Sequence, residues 1–460
     1  MARLKEKMFN FKNKKAIVFG FGKSGIASAK KLLKEGAIVK IAEISPKDQF
    51  DKDLIQDFES SGVSFEFEGH TPEFTEGCDI AILSPGVHSD LPVIEALKKK
   101  NIPVISEIEL AFQFLKKPII AVTGTNGKTT TTTLIAQILN AGGKRASASG
   151  NIGIPLASID DANLDFIVVE VSSYQLENII DFRPWISIIL NITEDHIERH
   201  GNFSVYTGSK GRIFKNQTTD DYLIYNVDDP KVLELSGRAA AKLVPFSKSK
   251  VLSEGVSLDG GELKSIIERK ASKICKKDDI RLKGEHNMEN VCAAVAASLL
   301  CRIPESSIAD TLRTFEGVEH RIEHVGTISG IDFINDSKAT NPNSTICALN
   351  ALTNDKNILL IAGGRDKGGD LSSLCDTVKM KAKEVILIGE AKDRFKEALL
   401  SNGFFNVSSA NTLGEAVRMA KKKAVAGDFV LLSPACASFD MFKNFEERGE
   451  VFKAEVLSLK

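Results

Sequence analysis

The sequence predicts an α/β protein of three domains, each built around a mostly parallel β-sheet covered by helices. Short apolar stretches typical of strands alternate with helical patterns along the 460 residues, which is the arrangement that parallel sheets require. The length suits about three domains of roughly 150 residues each. A hydrophobic content of 43% is enough for several packed cores.

Three series of strands locate the domains. The first opens with the strand KAIVFGFG, the helix SGIASAKKLLKEG and the strand AIVKIAEIS, and it ends at CDIAILSPGV. The second begins at PIIAVTG and continues through DFIVVEVSS and WISIILNIT, and the third contains NILLIAGG, EVILIGE and DFVLLSPA. We therefore divide the chain into a Rossmann-like N-terminal domain (1–106), a central P-loop ATPase-type domain (107–317) and a Rossmann-like C-terminal domain (318–460).

Charge and cysteine usage limit the classes of partner. A total of 60 basic and 61 acidic residues leaves a net charge of −1, so there is no basic field for a nucleic acid. The seven cysteines are scattered without paired spacing, so we expect reduced thiols rather than disulfides or a zinc site. The basic start lacks the apolar segment of a signal peptide, and no apolar run is long enough to cross a bilayer. We expect a soluble cytoplasmic monomer with no membrane insertion.

The first glycine-rich loop follows the first predicted strand. Gly20, Gly22 and Gly25 form the pattern G-x-G-x-x-G between a strand and a helix, and Glu43 ends the next strand. Such glycines let the backbone approach a diphosphate at a helix N-terminus. The pattern leaves three possibilities: a nicotinamide dinucleotide with Glu43 on its ribose, another nucleotide diphosphate such as a UDP-sugar, or a tight turn with a purely structural role.

A second glycine-rich loop, GTNGKT, opens the central domain. It departs from the usual phosphate-loop pattern because Val122 takes the place of the first glycine, which falls at Gly124 instead. Backbone N–H groups of the loop can surround phosphates, Lys128 can reach the β- and γ-phosphate oxygens, and Thr129 can bind Mg²⁺. The predicted ATP-binding residues are Gly124, Thr125, Asn126, Gly127, Lys128, Thr129 and Thr130.

Candidate metal ligands follow two further strands of the same domain. Glu170 ends the strand DFIVVE, and Asp195 and His196 follow WISIILNI, where α/β sheets place their chemistry. Oxygen ligands suit Mg²⁺, and a histidine is an unusual but possible addition. His196 and His200 have the i, i+4 spacing of a zinc pair, but the glutamate of the zinc motif is missing, so we do not expect zinc.

Taken in order, these motifs resemble those of the Mur ligases of peptidoglycan synthesis. The stretches that carry the resemblance are GTNGKTTT, GNIGIP, EVSSYQLE, NITEDHIERH, GEHNMENV, GVEHRIE, NDSKATNP and LSPACASFDMFKNFEERG. The resemblance extends from about the first glycine loop nearly to the C-terminus, with motifs in all three predicted domains. The last two stretches are similar to the branch of the family that adds D-glutamate.

The resemblance implies a reaction between two anionic partners. The γ-phosphate of ATP would pass to the carboxylate of UDP-N-acetylmuramoyl-L-alanine. The amine of D-glutamate would then attack this acyl phosphate through a tetrahedral intermediate, leaving an amide, ADP and phosphate. Mg²⁺, implied at two positions, and lysines would neutralise the charges that must meet. The first glycine loop would hold uridine diphosphate rather than a dinucleotide.

The matching motifs also imply roles for individual residues. The catalytic residues would be Lys128, Lys210, Lys338 and His196, and the metal ligands would be Thr129, Glu170, His196 and Lys210. ATP would also contact Asn290, Arg321 and Asp336. The UDP substrate would contact Gly22, Lys23, Ser24, Glu43, Ser45, Gly86, Asn151 and Ser172. D-glutamate would contact Thr340, Lys367, Ser438 and Phe445.

Lys210 is implied to carry a carbamate. CO₂ adds only to a neutral amine, whereas a free lysine has a pKa of about 10.4. The side chain must therefore be desolvated or close to other cations, because either condition lowers the pKa. The resulting carbamate is negatively charged and can bind Mg²⁺.

Three other functions stay open on the sequence. Another ligase of the superfamily would add L-alanine, a diamino acid or a dipeptide, or would add glutamate to folate, but SPACASFDMF and Lys367 favour D-glutamate. A nicotinamide oxidoreductase is suggested only by the first glycine loop. A P-loop switch or motor ATPase would hydrolyse ATP with no amine acceptor.

Overall fold

The computed structural model describes residues 9–151, 153–195, 197–282, 284–352, 355–366, 368 and 370–459, with the backbone alone for 197, 198, 285 and 286. Over these residues the chain forms three β-sheets of five, nine and six strands. The predicted α/β class with three mostly parallel sheets is confirmed. The chain divides into two compact units, one comprising residues up to Asp279 together with Glu289–Arg313, and the other comprising Ile280–Met288 together with the chain from Thr314 onward.

The first sheet is parallel throughout. Its strands are β1 (Lys15–Phe19), β2 (Ile38–Glu43), β3 (Ser64–Phe67), β4 (Ile80–Leu83) and β5 (Val104–Ser106), and its helices are α1 (Lys23–Lys34), α2 (Lys52–Ser60), α3 (Pro92–Lys99) and α4 (Glu107–Phe112). The strand order is β3-β2-β1-β4-β5. The chain adds strands outward from β1 on one side and then outward from β4 on the other, so the topological switch point lies between β1 and β4. The loops after these two strands therefore meet at the crevice where such sheets bind ligands.

The central sheet has the order β14-β13-β12-β11-β10-β9-β6-β8-β7 and becomes antiparallel only from β12 to β14. Its strands are β6 (Ile119–Thr123), β7 (Ala146–Gly150), β8 (Phe166–Glu170), β9 (Ile186–Ile189), β10 (Tyr222–Asn226), β11 (Lys242–Ser247), β12 (Gly255–Asp259), β13 (Glu262–Ile267) and β14 (Lys270–Lys276). Its helices are α5 (Lys128–Ala141), α6 (Ser173–Glu177), α7 (Ile197–His200), α8 (Phe203–Gly211), α9 (Pro230–Ser236), α10 (Glu285–Leu300) and α11 (Glu305–Thr314).

The third sheet has the order β15-β16-β20-β17-β18-β19, with only β15 antiparallel to its neighbour. Its strands are β15 (Glu323–Ile328), β16 (Ile331–Asn335), β17 (Ile358–Gly363), β18 (Ala382–Ile388), β19 (Val407–Ser409) and β20 (Phe429–Leu432). Its helices are α12 (Pro342–Leu352), α13 (Ser372–Lys381), α14 (Lys392–Ser401), α15 (Leu413–Lys423) and α16 (Phe445–Leu457).

Burial along the central strands explains their sequence pattern. All five residues of β6 are buried, as are all six of β17. Helices cover both faces of a parallel sheet, so such strands are apolar without alternation. Among the described residues, no helix is long and apolar enough to span a bilayer.

Two buried carboxylates of α4 tie this helix to the connections that precede β8 and β9. Glu109 accepts hydrogen bonds from the backbone N–H groups of Ile180 and Phe182 at 2.9 and 2.8 Å. Glu107, 1% exposed, accepts one from Ala157 at 2.6 Å. Burial raises the pKa of the Glu107 carboxyl to about 7 from its usual 4.5, because removal from water penalises the charged form.

We predict that Glu107→Gln makes the stability of the protein less dependent on pH between about 5 and 8. A carboxyl whose pKa rises on folding stabilises the folded state fully below its unfolded pKa, and this contribution is lost as the pH rises through the folded pKa. The free energy of unfolding of the wild type should therefore fall across this window relative to the variant, by on the order of 3 kcal/mol. Urea unfolding followed by the fluorescence of Trp185, the single tryptophan, measures it. Parallel pH profiles would contradict the prediction.

Candidate functional site

The loop after β1 and the turn after β4 form the two walls of a crevice, which we call the glycine cradle (residues 20–25 and 84–87). The backbone turns at Gly20 with a φ of +92°. Gly25 admits no side chain, because a Cβ there would lie 1.9 Å from the Gly20 carbonyl oxygen. Ser84 Oγ, on the opposite wall, donates a hydrogen bond to this oxygen at 3.4 Å. The two walls are therefore packed together at their base.

The middle of each wall is open. A Cβ added at Gly22 or at Gly86 would meet no atom within 4 Å, so the backbone of both walls is accessible to a ligand. Lys23 and Ser24 lie in the first turn of α1, the former exposed and the latter half-buried. A helix N-terminus beside an open glycine backbone is suited to an anion.

Glu43 holds the cradle from behind. Its Oε2 accepts a hydrogen bond from the Phe21 N–H at 2.6 Å, and its Oε1 accepts one from the Ser45 N–H at 2.9 Å. The side chain is buried. Both carboxylate oxygens thus fix the loops after β1 and β2, and a contact of Glu43 or Ser45 with a bound nucleotide stays a prediction.

The second glycine-rich loop joins β6 to α5. Gly124 and Gly127 have φ angles of +156° and +83°, which glycine adopts without strain. A Cβ at Gly127 would lie 2.1 Å from Asn290 Oδ1. Thr131 Oγ1 donates a hydrogen bond to this same Oδ1 at 3.2 Å. Asn290, predicted to contact adenine, therefore packs directly on the phosphate loop.

Two lysines converge on one carbonyl oxygen of this loop. Lys128 Nζ lies 2.9 Å and Lys210 Nζ lies 2.8 Å from the Gly124 carbonyl oxygen. Lys210, on α8, is only 2% exposed. Burial, and after it the charge of Lys128, hold the pKa of Lys210 well below its usual value. Lys210 therefore meets the physical condition for CO₂ addition, a desolvated amine beside another cation.

The loop after β9 and a tyrosine of α8 fix the phosphate loop from the side. The N–H groups of Thr125 and Asn126 donate to Asn191, to its carbonyl oxygen at 2.9 Å and to its Oδ1 at 2.8 Å. The hydroxyls of Thr125 and Tyr206 are 3.0 Å apart, and Lys210 Nζ lies 4.6 Å from the centre of the Tyr206 ring. Asn191 and Tyr206 were missed from the sequence, although Asn191 opens the quoted stretch NITEDHIERH.

A carboxylate at the end of β8 faces the start of α5. Thr129 Oγ1 donates to Glu170 Oε2 at 2.7 Å, and Asn151 Nδ2 donates to Glu170 Oε1 at 3.0 Å. Glu170 and Thr129 are both buried. A carboxylate and a hydroxyl at the mouth of a phosphate loop are the oxygen donors that Mg²⁺ takes, so this pair fits the implied metal.

The other predicted residues of the central domain lie at the same edge of the sheet. Ser172 caps α6, since its Oγ accepts from the Gln175 N–H at 3.3 Å. Thr130 is buried in the first turn of α5. Asp195 is half-buried, and its charge acts on Lys210. His196 lies outside the described residues, so its contact with a metal stays a prediction.

In the second compact unit, Asp336 follows β16 and is buried. Its Oδ2 accepts from Ser433 Oγ at 2.7 Å, and its Oδ1 accepts from the Ile322 N–H at 3.2 Å. Burial raises the pKa of Asp336 to about 7, against the opposing charge of Arg321. Among the described atoms, Arg321 Nε is buried with no hydrogen-bond partner, so one donor is left for a ligand.

Three of the predicted D-glutamate residues, Thr340, Ser438 and Phe445, lie in loops that follow strands of the third sheet or at the start of a helix. Lys338 and Thr340 follow β16 and are half-buried, and Lys338 Nζ lies 5.1 Å from the centre of the Phe445 ring. Ser438 is buried in the loop after β20, and Phe445 begins α16. Lys367 lies outside the described residues, and its contact with an amino acid stays a prediction.

One arginine that the sequence did not single out organises these loops. Arg448, 1% exposed, donates to the Ser337 carbonyl oxygen at 2.7 Å and to the Cys436 carbonyl oxygen at 3.1 Å. It therefore joins the loop after β16 to the loop after β20. Burial lowers the pKa of Arg448 to about 10. In the sequence, Arg448 could have been noticed because it lies in FKNFEERG, the end of a stretch that carries the family resemblance.

Family models match three successive parts of the chain. The model described as "Mur ligase MurD-like, N-terminal domain" matches residues 14–106, "Mur ligase middle domain" matches 122–298, and "Mur ligase, glutamate ligase domain" matches 320–436. The UDP-N-acetylmuramoylalanine–D-glutamate ligase of Pelotomaculum thermopropionicum is 43% identical over 453 residues, which cover 98% of this chain and 99% of that protein. The corresponding ligase of Clostridioides difficile is 40% identical over 454 residues, with 98% and 100% covered.

Solved structures share the fold at lower identity. A UDP-N-acetylmuramate–alanine ligase from Thermotoga maritima matches with a TM-score of 0.60 and 20% identity, covering 97% of this chain and 100% of that chain. A pseudomurein peptide ligase type C from Methanothermus fervidus matches with a TM-score of 0.59 and 19% identity, with 97% and 100% covered. At these identities the likeness concerns the fold alone.

We predict that Lys128→Ala keeps the fold but lowers any phosphate transfer at this loop by at least about two to three orders of magnitude, the scale for losing a preorganised charge. The side chain is half-buried at the first residue of α5 and reaches back into the loop, so it is not part of a core. ADP formation from Mg·ATP measures the rate, and circular dichroism measures the fold. Lys231→Ala, which removes an exposed lysine of α9, is the control. A folded Lys128→Ala variant with near-normal turnover would remove the loop from the mechanism.

Proposed function

The chain belongs to the Mur ligase family, and we propose that it joins D-glutamate to UDP-N-acetylmuramoyl-L-alanine, converting ATP to ADP and phosphate, in the synthesis of peptidoglycan precursors. The observation that carries the proposal is the 43% identity over 98% of the chain to a relative named for this reaction. The most direct experiment measures phosphate release with UDP-N-acetylmuramoyl-L-alanine and one amino acid at a time.

The reaction needs an activated carboxylate. A carboxylate is a poor acyl donor, so the γ-phosphate of ATP is first transferred to one of its oxygens. The amine of D-glutamate then attacks the acyl carbon and forms a C–N bond, giving a tetrahedral intermediate. This intermediate breaks its C–O bond to release phosphate, and the amine nitrogen loses a proton. Lys128 and the backbone N–H groups of the loop would hold and neutralise the phosphates during the transfer. The direction of Lys128 into the loop, where it donates to the Gly124 and Thr125 carbonyls at 2.9 and 2.8 Å, supports this role.

Thr129 and Glu170 would hold Mg²⁺ beside the phosphates, with His196 as a further ligand implied by the resemblance. A bound Mg²⁺ supplies positive charge between the ATP phosphates and the substrate carboxylate, which would otherwise repel each other. Asn151 would orient Glu170 through its 3.0 Å hydrogen bond and, with Ser172, help to position the muramoyl substrate.

Lys210 would carry a carbamate that holds a second Mg²⁺. The neutral amine adds to CO₂, an N–C bond forms as one C=O π bond of CO₂ opens, and one proton leaves, so a neutral side chain becomes an anionic one. The burial of Lys210 and its lowered pKa support the proposal, because they favour the neutral amine that the addition needs. The oxygen atoms of the carbamate are suitable Mg²⁺ ligands.

The first domain (1–106) would bind the uridine diphosphate in the glycine cradle, with contacts from Gly22, Lys23, Ser24 and Gly86. Open space at both glycines and the N-terminus of α1 support a diphosphate ligand. Glu43 and Ser45 would add further contacts, since each carboxylate oxygen of Glu43 that accepts a backbone N–H can accept a second hydrogen bond.

The third domain (318–460) would complete the ATP site and bind D-glutamate. Arg321 and Asp336 would reach ATP, as Asn290 would from the central domain (107–317), and Lys338 would lie beside the transferred phosphate. The buried Arg321 Nε that lacks a partner among the described atoms supports a contact with an anion. Lys367 would bind a carboxylate of D-glutamate, with Thr340, Ser438 and Phe445 around it.

ATP and nucleotide-linked sugars are cytoplasmic metabolites, so we propose that the enzyme is cytoplasmic. We also propose that it works as a monomer. The net charge of −1 supports small-molecule substrates rather than a nucleic acid.

Lys210→Ala should nearly abolish ligation, and a short-chain carboxylic acid in solution should partly restore it. The added carboxylate can occupy the space of the missing side chain and offer its oxygens to Mg²⁺. Rates of phosphate release with and without acetate or propionate measure the effect. Lys215→Ala, which removes an exposed lysine nearby, should keep full activity with or without the acid. An active Lys210→Ala variant would contradict the carbamate.

D-glutamate should support phosphate release far better than L-glutamate, D-alanine or meso-diaminopimelate. A site built from hydrogen bonds and a cation rejects analogues that leave its polar groups unpaired. Lys367→Ala should mainly raise the KM for D-glutamate and leave the KM for ATP unchanged. Lys396→Ala, at an exposed position of α14, serves as the control. Better turnover with L-alanine or diaminopimelate would assign the chain to another branch of the family.

A further inference from the structure

Arg199 links the central domain to one wall of the glycine cradle. Its Nη1 donates to the Pro85 carbonyl oxygen at 2.9 Å, and its Nη2 donates to the Val87 carbonyl oxygen at 2.8 Å. These two carbonyls flank Gly86, where the wall is open. A single guanidinium therefore holds this turn on both sides of the open glycine.

The guanidinium also contacts a tyrosine ring and a carboxylate of α6. Arg199 Cζ lies 3.8 Å from the centre of the Tyr174 ring, a favourable cation–π distance. Its Nη2 lies 4.0 Å from Glu177 Oε2, and the side chain is 9% exposed. A charge so far from water is tolerated only when it is paired and hydrogen-bonded, so these contacts define one position for the side chain.

A polar network fixes the helix that carries Arg199. His200, the next residue, places Nε2 3.0 Å from Ser173 Oγ and Nδ1 3.4 Å from Glu177 Oε1. Glu177 Oε2 in turn accepts from Ser89 Oγ of the first domain at 2.9 Å. Helices α6 and α7 are thus joined to each other and to the chain that leaves the cradle.

The position of this network along the chain connects it to the chemistry. Helix α6 begins three residues after Glu170, and α7 begins one residue after His196, the two residues that the proposed function assigns to the metal. A shift of α6 or α7 would therefore displace the Gly86 turn together with the chain next to Glu170.

We propose that Arg199 is a positioning residue that presents the Gly86 turn to the uridine diphosphate of the substrate and ties this turn to the metal-binding segments. Backbone carbonyl oxygens carry partial negative charge, so they would repel a diphosphate bound at the turn. Arg199 binds two of these carbonyls and brings a positive charge close to them. A lysine cannot replace it, because an ammonium lacks the planar fork that spans two separated acceptors. The assignment of the ligand rests on the proposed function, whereas the effect of Arg199 on the turn does not.

The kinetic test compares Arg199→Ala and Arg199→Lys with the wild type. We expect the KM for UDP-N-acetylmuramoyl-L-alanine to rise at least about tenfold, equivalent to about 1.4 kcal/mol, in both variants. The KM values for ATP and D-glutamate should change less than about twofold. Equal increases in all three KM values, or none, would overturn the proposal. The lysine variant keeps the charge and much of the packing, so it covers the case in which the alanine variant does not fold.

The second measurement needs no activity. Hydrogen–deuterium exchange of the backbone amides of residues 84–89, without substrates, should be faster in both Arg199 variants than in the wild type. Arg183→Ala is the matched control, because it removes an arginine of the same domain that pairs with Asp221 at 2.7 Å and has no role at the turn. The proposal would be overturned if exchange at these amides were unchanged in the Arg199 variants. It would also be overturned if exchange increased equally in the Arg183→Ala control. A wild type with no activity on the UDP substrate would instead refute the proposed function.

Discussion

Two lysine side chains, Lys128 and Lys210, share the carbonyl oxygen of Gly124 at 2.9 and 2.8 Å. Two ammonium ions at one buried acceptor repel each other strongly because little water is present to screen them. Burial, and after it this repulsion, lowers the pKa of Lys210, the more buried of the two. One backbone oxygen thus holds two lysine side chains side by side, and it fixes the start of α5 relative to α8.

Parallel pairing explains why the remaining groups gather around this oxygen. Strands β8 and β9 are the two neighbours of β6, so Glu170 at the end of β8 and Asn191 after β9 lie on either side of the phosphate loop. The first sheet repeats the arrangement, with the walls of the glycine cradle after the adjacent strands β1 and β4. Both sheets therefore gather these loops at the carboxyl ends of adjacent central strands.

The features predictable from sequence are the local ones. GTNGKT and the G-x-G-x-x-G pattern revealed their loops because the backbone conformations need glycine at fixed spacings. The residues around Lys210, SKGRI (209–213), do not predict its burial. The burial arises because α8 packs against a loop that lies 86 residues earlier in the chain. Asn191, Arg199 and Arg448 act on backbone groups that are distant in the chain. Their neighbours depend on strand order, which a single sequence does not specify.

If Lys210 carries the proposed carbamate, the fraction of protein molecules that are modified depends on an equilibrium with dissolved CO₂. Addition of CO₂ to the amine releases one proton, so the modified fraction rises with dissolved CO₂ and falls as the solution becomes more acidic. The neutral amine needs no other enzyme and no second cofactor to react. Protein prepared in degassed buffer and protein handled in air would then be chemically different samples of the same chain, and bicarbonate in the medium would count as a component of the enzyme.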